Sequence, residues 1–161
     1  HGTAIMAARA DYGIMGQFVS DAAPLNDLAN RLLEAVPRVH VLKDPTRGGV
    51  AMALHEISQA AQAKIEIEES ALPILPQVQS FCDLLGFDPL EIANEGKLLV
   101  VCPAEDTEVA LASMRTHPLG TNSALIGRVL KADRPQVTMR TKLGGTRVVG
   151  IPAGELLPRI C

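Results

Sequence analysis

The 161-residue sequence contains no tryptophan and only four aromatic side chains, Tyr12, Phe18, Phe81 and Phe87. It also lacks any lysine- or arginine-rich run, its acids and bases being interspersed to a formal charge of −3. A chain with neither stacking platforms nor a basic stripe is a poor fit for nucleic acid. No apolar run approaches the roughly 18 to 20 residues that span a bilayer, and the start shows no charged-then-apolar leader pattern, so a soluble, cytoplasmic protein is expected. The three cysteines, Cys82, Cys102 and Cys161, form no CxxC pair and no zinc-type spacing with the scattered histidines, so no metal site is assigned. Their odd number leaves one unpaired in any disulfide scheme, and a reducing compartment is the simpler assumption. An initiator methionine is missing too. The chain opens at His1-Gly2 and enters a helical pattern almost at once, as expected of a piece of a longer protein whose function is shared with other residues.

What is present suits one globular domain with a real core: 47% of the residues are hydrophobic and 20% charged. Apolar residues at helical spacing predict a short helix over Thr3 to Arg9 and a second at about 22–35, with Ser20-Asp21 offering cap oxygens ahead of Pro24. A brief extended run, Val39 to Leu42, leads through Asp44-Pro45-Thr46-Arg47-Gly48-Gly49 into a helix at about 48–62. Lys64 to Glu68 alternates as a half-buried strand does. Pro73 and Pro76 frame the start of a helix that buries Cys82 and stops at Gly86, followed by a capped turn at Asp88-Pro89-Leu90. Leu98 to Cys102 reads as a strand buried on both faces, Ala104 to Arg115 as a helix with acids at its start, and Ala124 to Leu130 as a strand broken by Gly127. Gln136 to Arg140 and Thr146 to Val149 form a hairpin about Gly144-Gly145. With helices concentrated in the first half and strands in the second, the expected class is α+β, helices packed on a mixed sheet.

Three stretches invite chemistry. A chain ending on Cys161 carries its thiol on terminal backbone, where a cysteine contributes little to packing and can reach another site. Asp44 to Gly49 sits at a strand-to-helix junction, where unpaired N–H groups and the positive dipole end attract anions, and two glycines would admit a phosphate close to the backbone. It lacks the Walker lysine and the GxGxxG spacing. The alternative is that Asp44 or Thr46 only caps the helix and the glycines only turn the chain. Asn94-Glu95-Gly96 sets a carboxylate just before an apolar strand, where nearby buried surface can raise its pKa toward that of a useful base; a merely solvated glutamate is the competing reading. His117, before Pro118, reads as a turn residue.

Taken in order, DPTRGG, LLGFDPLEIANEGKLL, HPLG with ALIGRV, and the closing GELLPRIC resemble the C-terminal domain of the HypE hydrogenase-maturation family, within the aminoimidazole ribonucleotide synthetase (PurM-like) superfamily. The resemblance runs along essentially the whole chain. DPTRGG points to the superfamily and the terminal PRIC to the HypE branch, and it makes the C-terminus look natural. It implies a PurM C-terminal-domain-like fold: a mixed, largely antiparallel sheet with packed helices over 1–161, ending in a flexible tail from about 152. The family's N-terminal domain, which supplies the dimer interface, most ATP contacts and the magnesium-binding acids, is expected to be absent.

The resemblance also implies a chemistry. Members of the family accept a carbamoyl group from HypF on the terminal cysteine, dehydrate the S-carboxamide to a thiocyanate with ATP, and pass cyanide to iron on the HypC–HypD complex. Cys161 then matches the carrier and Glu95 the base. Asp44, Thr46, Arg47, Gly48 and Gly49 match a segment near the nucleotide end of the site, and Asn94 and Arg159 are assigned to positioning the tail, Arg159 from its charge alone. Two other readings remain open: a non-catalytic carrier or docking domain presenting Cys161 to maturation partners, and another ATP-dependent member of the superfamily, such as a selenophosphate synthetase or thiamine-monophosphate kinase, against which the terminal thiol argues.

Overall fold

The structure, a computed structural model, describes residues 1–9 and 18–152. The terminal stretch that carries Arg159 and Cys161 lies outside the described residues. The elements follow the expected order: helices α1 (Gly2–Arg9), α2 (Asn26–Ala35), α3 (Gly49–Ala61), α4 (Pro76–Leu85) and α5 (Thr107–Arg115), and strands β1 (Val41–Lys43), β2 (Lys64–Glu68), β3 (Leu99–Val101), β4 (Gly127–Leu130), β5 (Gln136–Arg140) and β6 (Thr146–Val148).

Among the described residues the strands form two sheets rather than the single one expected. A four-stranded sheet runs β4-β2-β5-β6, in which β2 pairs antiparallel with β4 and parallel with β5, and β5 pairs antiparallel with β6. It is mixed and largely antiparallel. The second sheet is the antiparallel ribbon β1-β3. Period-2 alternation in β2 and β5 sends Ile65, Ile67, Val137 and Met139 to one face, where they bury against Ala51, Leu54 and Ile57 of α3. The opposite face carries the acids: Glu66 is paired with Arg128 at 2.7 Å and Lys64 at 3.4 Å. A second core lies between α2 and α5, built on Leu32, Val36 and Ala110.

The ribbon separates these two cores. Val41, Leu99 and Val101 pack on the first, and Leu42, Val100 and Cys102 on the second. Both faces of β3 are therefore covered, as its unbroken apolar run requires. Cys82 is fully buried in α4, and burial, with Asp83 and Asp88 nearby, pushes its thiol up to about 11.

Several boundaries differ from the sequence reading for identifiable reasons. Helix α2 begins at Asn26 because Pro24 and Leu25 stay outside it, and its Leu25 cap makes no side-chain hydrogen bond. Before α5, Ala104–Asp106 forms a 3₁₀ turn whose acids Glu105 and Asp106 bind Arg38 at 3.1 and 2.9 Å. Gly127 starts β4 instead of breaking it, since any Cβ there would collide with the Glu66 carbonyl of the adjacent strand. Asp88 caps its turn as anticipated, accepting from Leu90 N at 2.9 Å, and its other oxygen holds Arg147 at 2.6 Å. His117 does the same for Leu119 N at 3.1 Å, which makes it the turn residue it resembled. No described helix is long and apolar enough to cross a membrane.

Candidate active site

The ribbon decides where the motifs meet. Lys43, the last residue of β1, stands opposite Leu99, the first of β3. Because the strands are antiparallel, the loop leaving β1, Asp44 to Gly49, and the loop entering β3, Asn94 to Gly96, emerge at the same end. Asn94 joins them: its backbone N–H and its side-chain amide both donate to Pro45 O, at 3.2 and 3.3 Å, and the amide also donates to Ile92 O at 2.9 Å. Two stretches about fifty residues apart in sequence thus form one wall.

Within the first loop, Pro45 is buried while Asp44 and Arg47 are exposed. Neither Asp44 nor Thr46 caps α3. The cap is Gly48, in the left-handed region at φ 71°, with no side-chain cap hydrogen bond among the described residues. Thr46 contributes its carbonyl, which accepts from Gly49 N at 3.1 Å. Gly49, at φ 60°, has a packing reason to be glycine: a Cβ would lie 2.6 Å from Ile92 O and closer still to Leu90 O. The space expected for a phosphate at Gly49 is therefore taken by the chain's own 90–92 segment. At the start of α3 the first N–H groups have no acceptor within the helix, and no side-chain cap hydrogen bond is found there among the described residues.

The second loop is fixed from three sides. Gly2 N donates to Ala93 O at 2.9 Å, α3 closes over 90–92, and Asp21 holds the rest. Asp21 Oδ1 accepts from Glu95 N at 3.3 Å and from the His1 nitrogen at 2.7 Å, and Asp21 Oδ2 accepts from Lys97 Nζ at 2.7 Å. Gly96 packs so closely on the Asp21 carbonyl that no side chain would fit. Burial would push the Asp21 carboxyl up, but the hydrogen bond and charge of Lys97 pull it below the ordinary carboxylate range. Glu95 itself is exposed, so the apolar cover expected to make it a stronger base is not supplied by this domain's described residues.

Sequence reasoning missed Asp21 and Lys97. Asp21 was read as a helix cap; the cap signal was real in type but the helix starts later, and Ser20, not Asp21, makes the local turn by accepting from Ala22 N at 3.1 Å. Its true partners are long-range, and no spacing rule announces them. A cavity of about 430 Å³ between Pro73–Leu75 and Thr121–Ser123, beside Arg115, includes none of the motif residues. Among the described residues no three His, Cys, Asp or Glu side chains are grouped to hold a metal.

With this geometry in place, comparison with known proteins is direct. Residues 1–140 match the family described as AIR synthase related protein, C-terminal domain. The carbamoyl dehydratase HypE of Cupriavidus necator is 50% identical over all 161 residues, which make up 46% of that protein. A crystal structure of the hydrogenase maturation protein HypE in complex with ATP superposes with a TM-score of 0.92 at 42% identity, covering 100% of this chain and 49% of that one. A HypE–HypF complex gives a TM-score of 0.89 at 41% identity, covering 94% of this chain and 49% of that one. The chain thus spans about half the length of the relatives it matches.

Proposed function

The chain belongs to the AIR synthase related family of C-terminal domains, and from that premise we propose that it forms the C-terminal half of a HypE-type carbamoyl dehydratase that makes the cyanide ligand of a hydrogenase iron centre. The observation that carries the reading is the meeting of Asp44–Gly49 and Asn94–Gly96 at one end of the β1-β3 ribbon, joined by Asn94. Anion-binding backbone and a carboxylate on one wall are what this dehydration needs.

In the proposed reaction Cys161 carries the group as an S-carboxamide, donated by a HypF carbamoyltransferase. ATP supplies the phosphoryl group that turns the amide oxygen into a leaving group; phosphate departs with that oxygen, both amide protons are lost, and Cys161 is left with an S–C≡N. Glu95, on its fastened loop, takes a proton from the amide nitrogen, a step made easier as negative charge leaves on phosphate. The start of α3, which has no side-chain cap among the described residues, receives the phosphate end with Arg47 on its approach, and Asp44 and Thr46 shape the loop that presents it. Gly48 and Gly49 serve this loop through their backbone conformation. Arg159 brings the tail toward the cleft. The remaining ATP contacts, the acids that bind Mg²⁺ and the homodimer interface belong to an N-terminal domain, and the cyanide is handed to a HypC–HypD complex in the cytoplasm.

Glu95→Gln in the full-length enzyme tests the assignment, because it keeps the shape and removes the proton acceptor. Carbamoylation survives, the carboxamide accumulates on Cys161 as read by mass spectrometry, and thiocyanate formation slows by the roughly 10²- to 10⁴-fold typical of lost general-base catalysis. Normal thiocyanate formation by a folded Glu95→Gln enzyme removes Glu95 as the base. A wild-type enzyme that stops at the carboxamide in the presence of ATP is a carrier and not a dehydratase.

A further inference from the structure

We propose that Asp21 is a positioning residue for dehydration, acting through the Glu95 loop; the inference rests on Glu95 being the base. Asn94 ties the start of the 94–97 loop to Pro45, and Asp21 reaches the rest of it at three places. Oδ1 accepts from Glu95 N at 3.3 Å, Oδ2 accepts from Lys97 Nζ at 2.7 Å, and the Asp21 carbonyl sits against Gly96. A carboxylate suits this position because both of its oxygens only accept, and both are turned toward N–H donors.

The segment is itself anchored. Ser20 Oγ accepts from Ala22 N at 3.1 Å and pairs with His1 Nδ1 at 2.9 Å, so the segment on either side of Asp21 is closed by Ser20 and fastened to the residue before α1. The same start holds Ala93 O through Gly2 N at 2.9 Å. Asp21 therefore belongs to a bracket around residues 93–97, and the Glu95 carboxylate is carried by a peptide whose N–H that bracket holds. A general base must stay within hydrogen-bonding reach of the proton it removes, and misplacement by about 1 Å can cost on the order of 10²-fold. Exposure makes this support more important, because Glu95 is not buried among the described residues.

The test is a double-mutant cycle in the full-length enzyme, read by single-turnover conversion of pre-formed Cys161 carboxamide to thiocyanate. Asp21→Asn is nearly isosteric but turns an NH₂ either toward the two nitrogens at Oδ1, Glu95 N and His1 N, or toward Lys97 Nζ at Oδ2, so the loop loses either the Glu95 N–H bond or the Lys97 contact. The expected result is a roughly 10- to 100-fold slower dehydration, with carbamoylation by the transferase unchanged. On a Glu95→Gln background the same substitution has almost no further effect, because the group it positions is already gone. An equal slowing on both backgrounds, or carbamoylation falling in step with dehydration, means that Asp21 only supports the fold and overturns the proposal. A normal rate for Asp21→Asn overturns it as well. Normal dehydration by Glu95→Gln alone is a different failure, that of the base assignment, and removes the ground of the inference. Should Asp21→Asn not fold, Lys97→Met decides: this half-exposed side chain can be replaced without a core defect, and a slowing of about 3- to 10-fold that vanishes on the Glu95→Gln background supports the bracket. A wild-type rate for Lys97→Met in that case ends it.

Discussion

Substituting Asn94 tests the joint between the two loops by itself. The side-chain amide makes one hydrogen bond of ordinary length to Ile92 O, 2.9 Å, and one longer bond to Pro45 O, 3.3 Å, while the backbone N–H keeps its own bond to Pro45 O at 3.2 Å whatever the side chain. Asn94→Ala thus removes one full and one weak interaction around partly buried carbonyls, for a loss of about 1–2 kcal/mol. Asn94→Asp is the sharper perturbation. Its carboxylate has nothing to donate and would turn negative oxygen toward two carbonyl oxygens, so it should cost more than alanine although it is the closer isostere. Calorimetry of the full-length protein should show Tm falling by about 1.5–3 °C for Asn94→Ala and further for Asn94→Asp. Amide exchange should quicken in 44–49 and 94–97 ahead of the sheet, since those loops lose their mutual tie. An Asn94→Asp protein as stable as wild type would mean that the amide does not donate across the two loops, and the joined wall would go with it.

Further outcomes follow from the same geometry. Gly49→Ala should destabilise by more than ~2 kcal/mol, combining left-handed backbone strain with collision on Leu90 O and Ile92 O, while Gly86→Ala, with φ 73° and nothing within 4 Å, should show only the strain of about 1–2 kcal/mol. Chemical denaturation of both variants checks the difference. Because the folded-state pKa of Asp21 is depressed, its contribution is fully present above the ordinary carboxylate range and is lost as pH falls below about 4 toward the folded value; Asp21→Asn should flatten stability against pH in that acid window and leave it parallel to wild type near neutrality. Iodoacetamide at pH 8 should leave Cys82 unmodified in the native protein and alkylate it in urea, because burial raises the thiol to about 11 and also blocks access. Cys82 labelling at the rate of a free thiol in the folded state would contradict its place in α4.

Much of the fold was legible because the signals are local. Alternation at Lys64–Glu68, the proline at the start of α4 and the left-handed Gly86 at its end each act within one element, and each was found where the sequence put it. Pairing was less legible: nothing in Val39 to Leu42 states that its partner is Leu99–Val101, or that the two strands leave the main sheet to form their own. The site divides in the same way. Its loops announced themselves by glycine, proline and acid, but the reason for Gly49 lies in carbonyls some forty residues away, and Asp21 was taken for a cap because its partners Glu95 and Lys97 become visible only after folding. Glu95 shows the limit from the other side: proximity to an apolar strand in sequence did not bring burial, because side chains just outside a strand end can point to solvent. Cys161 and Arg159, read from the sequence alone, lie outside the described residues.

The ribbon between the two cores has a consequence for the order in which this molecule can be put together. Pairing Lys43 with Leu99 closes a loop of more than fifty residues, an entropic charge of about 3.5 kcal/mol beyond a constant. A three-residue strand pair returns little of that by itself; the return comes from Val41, Leu99 and Val101 on one side and Leu42 and Val100 on the other, hence only when both apolar clusters condense together. Half-folded forms in which only one cluster has condensed therefore hold the 44–49 loop and the 94–96 loop apart. The wall that these two loops form is therefore either complete or not there at all.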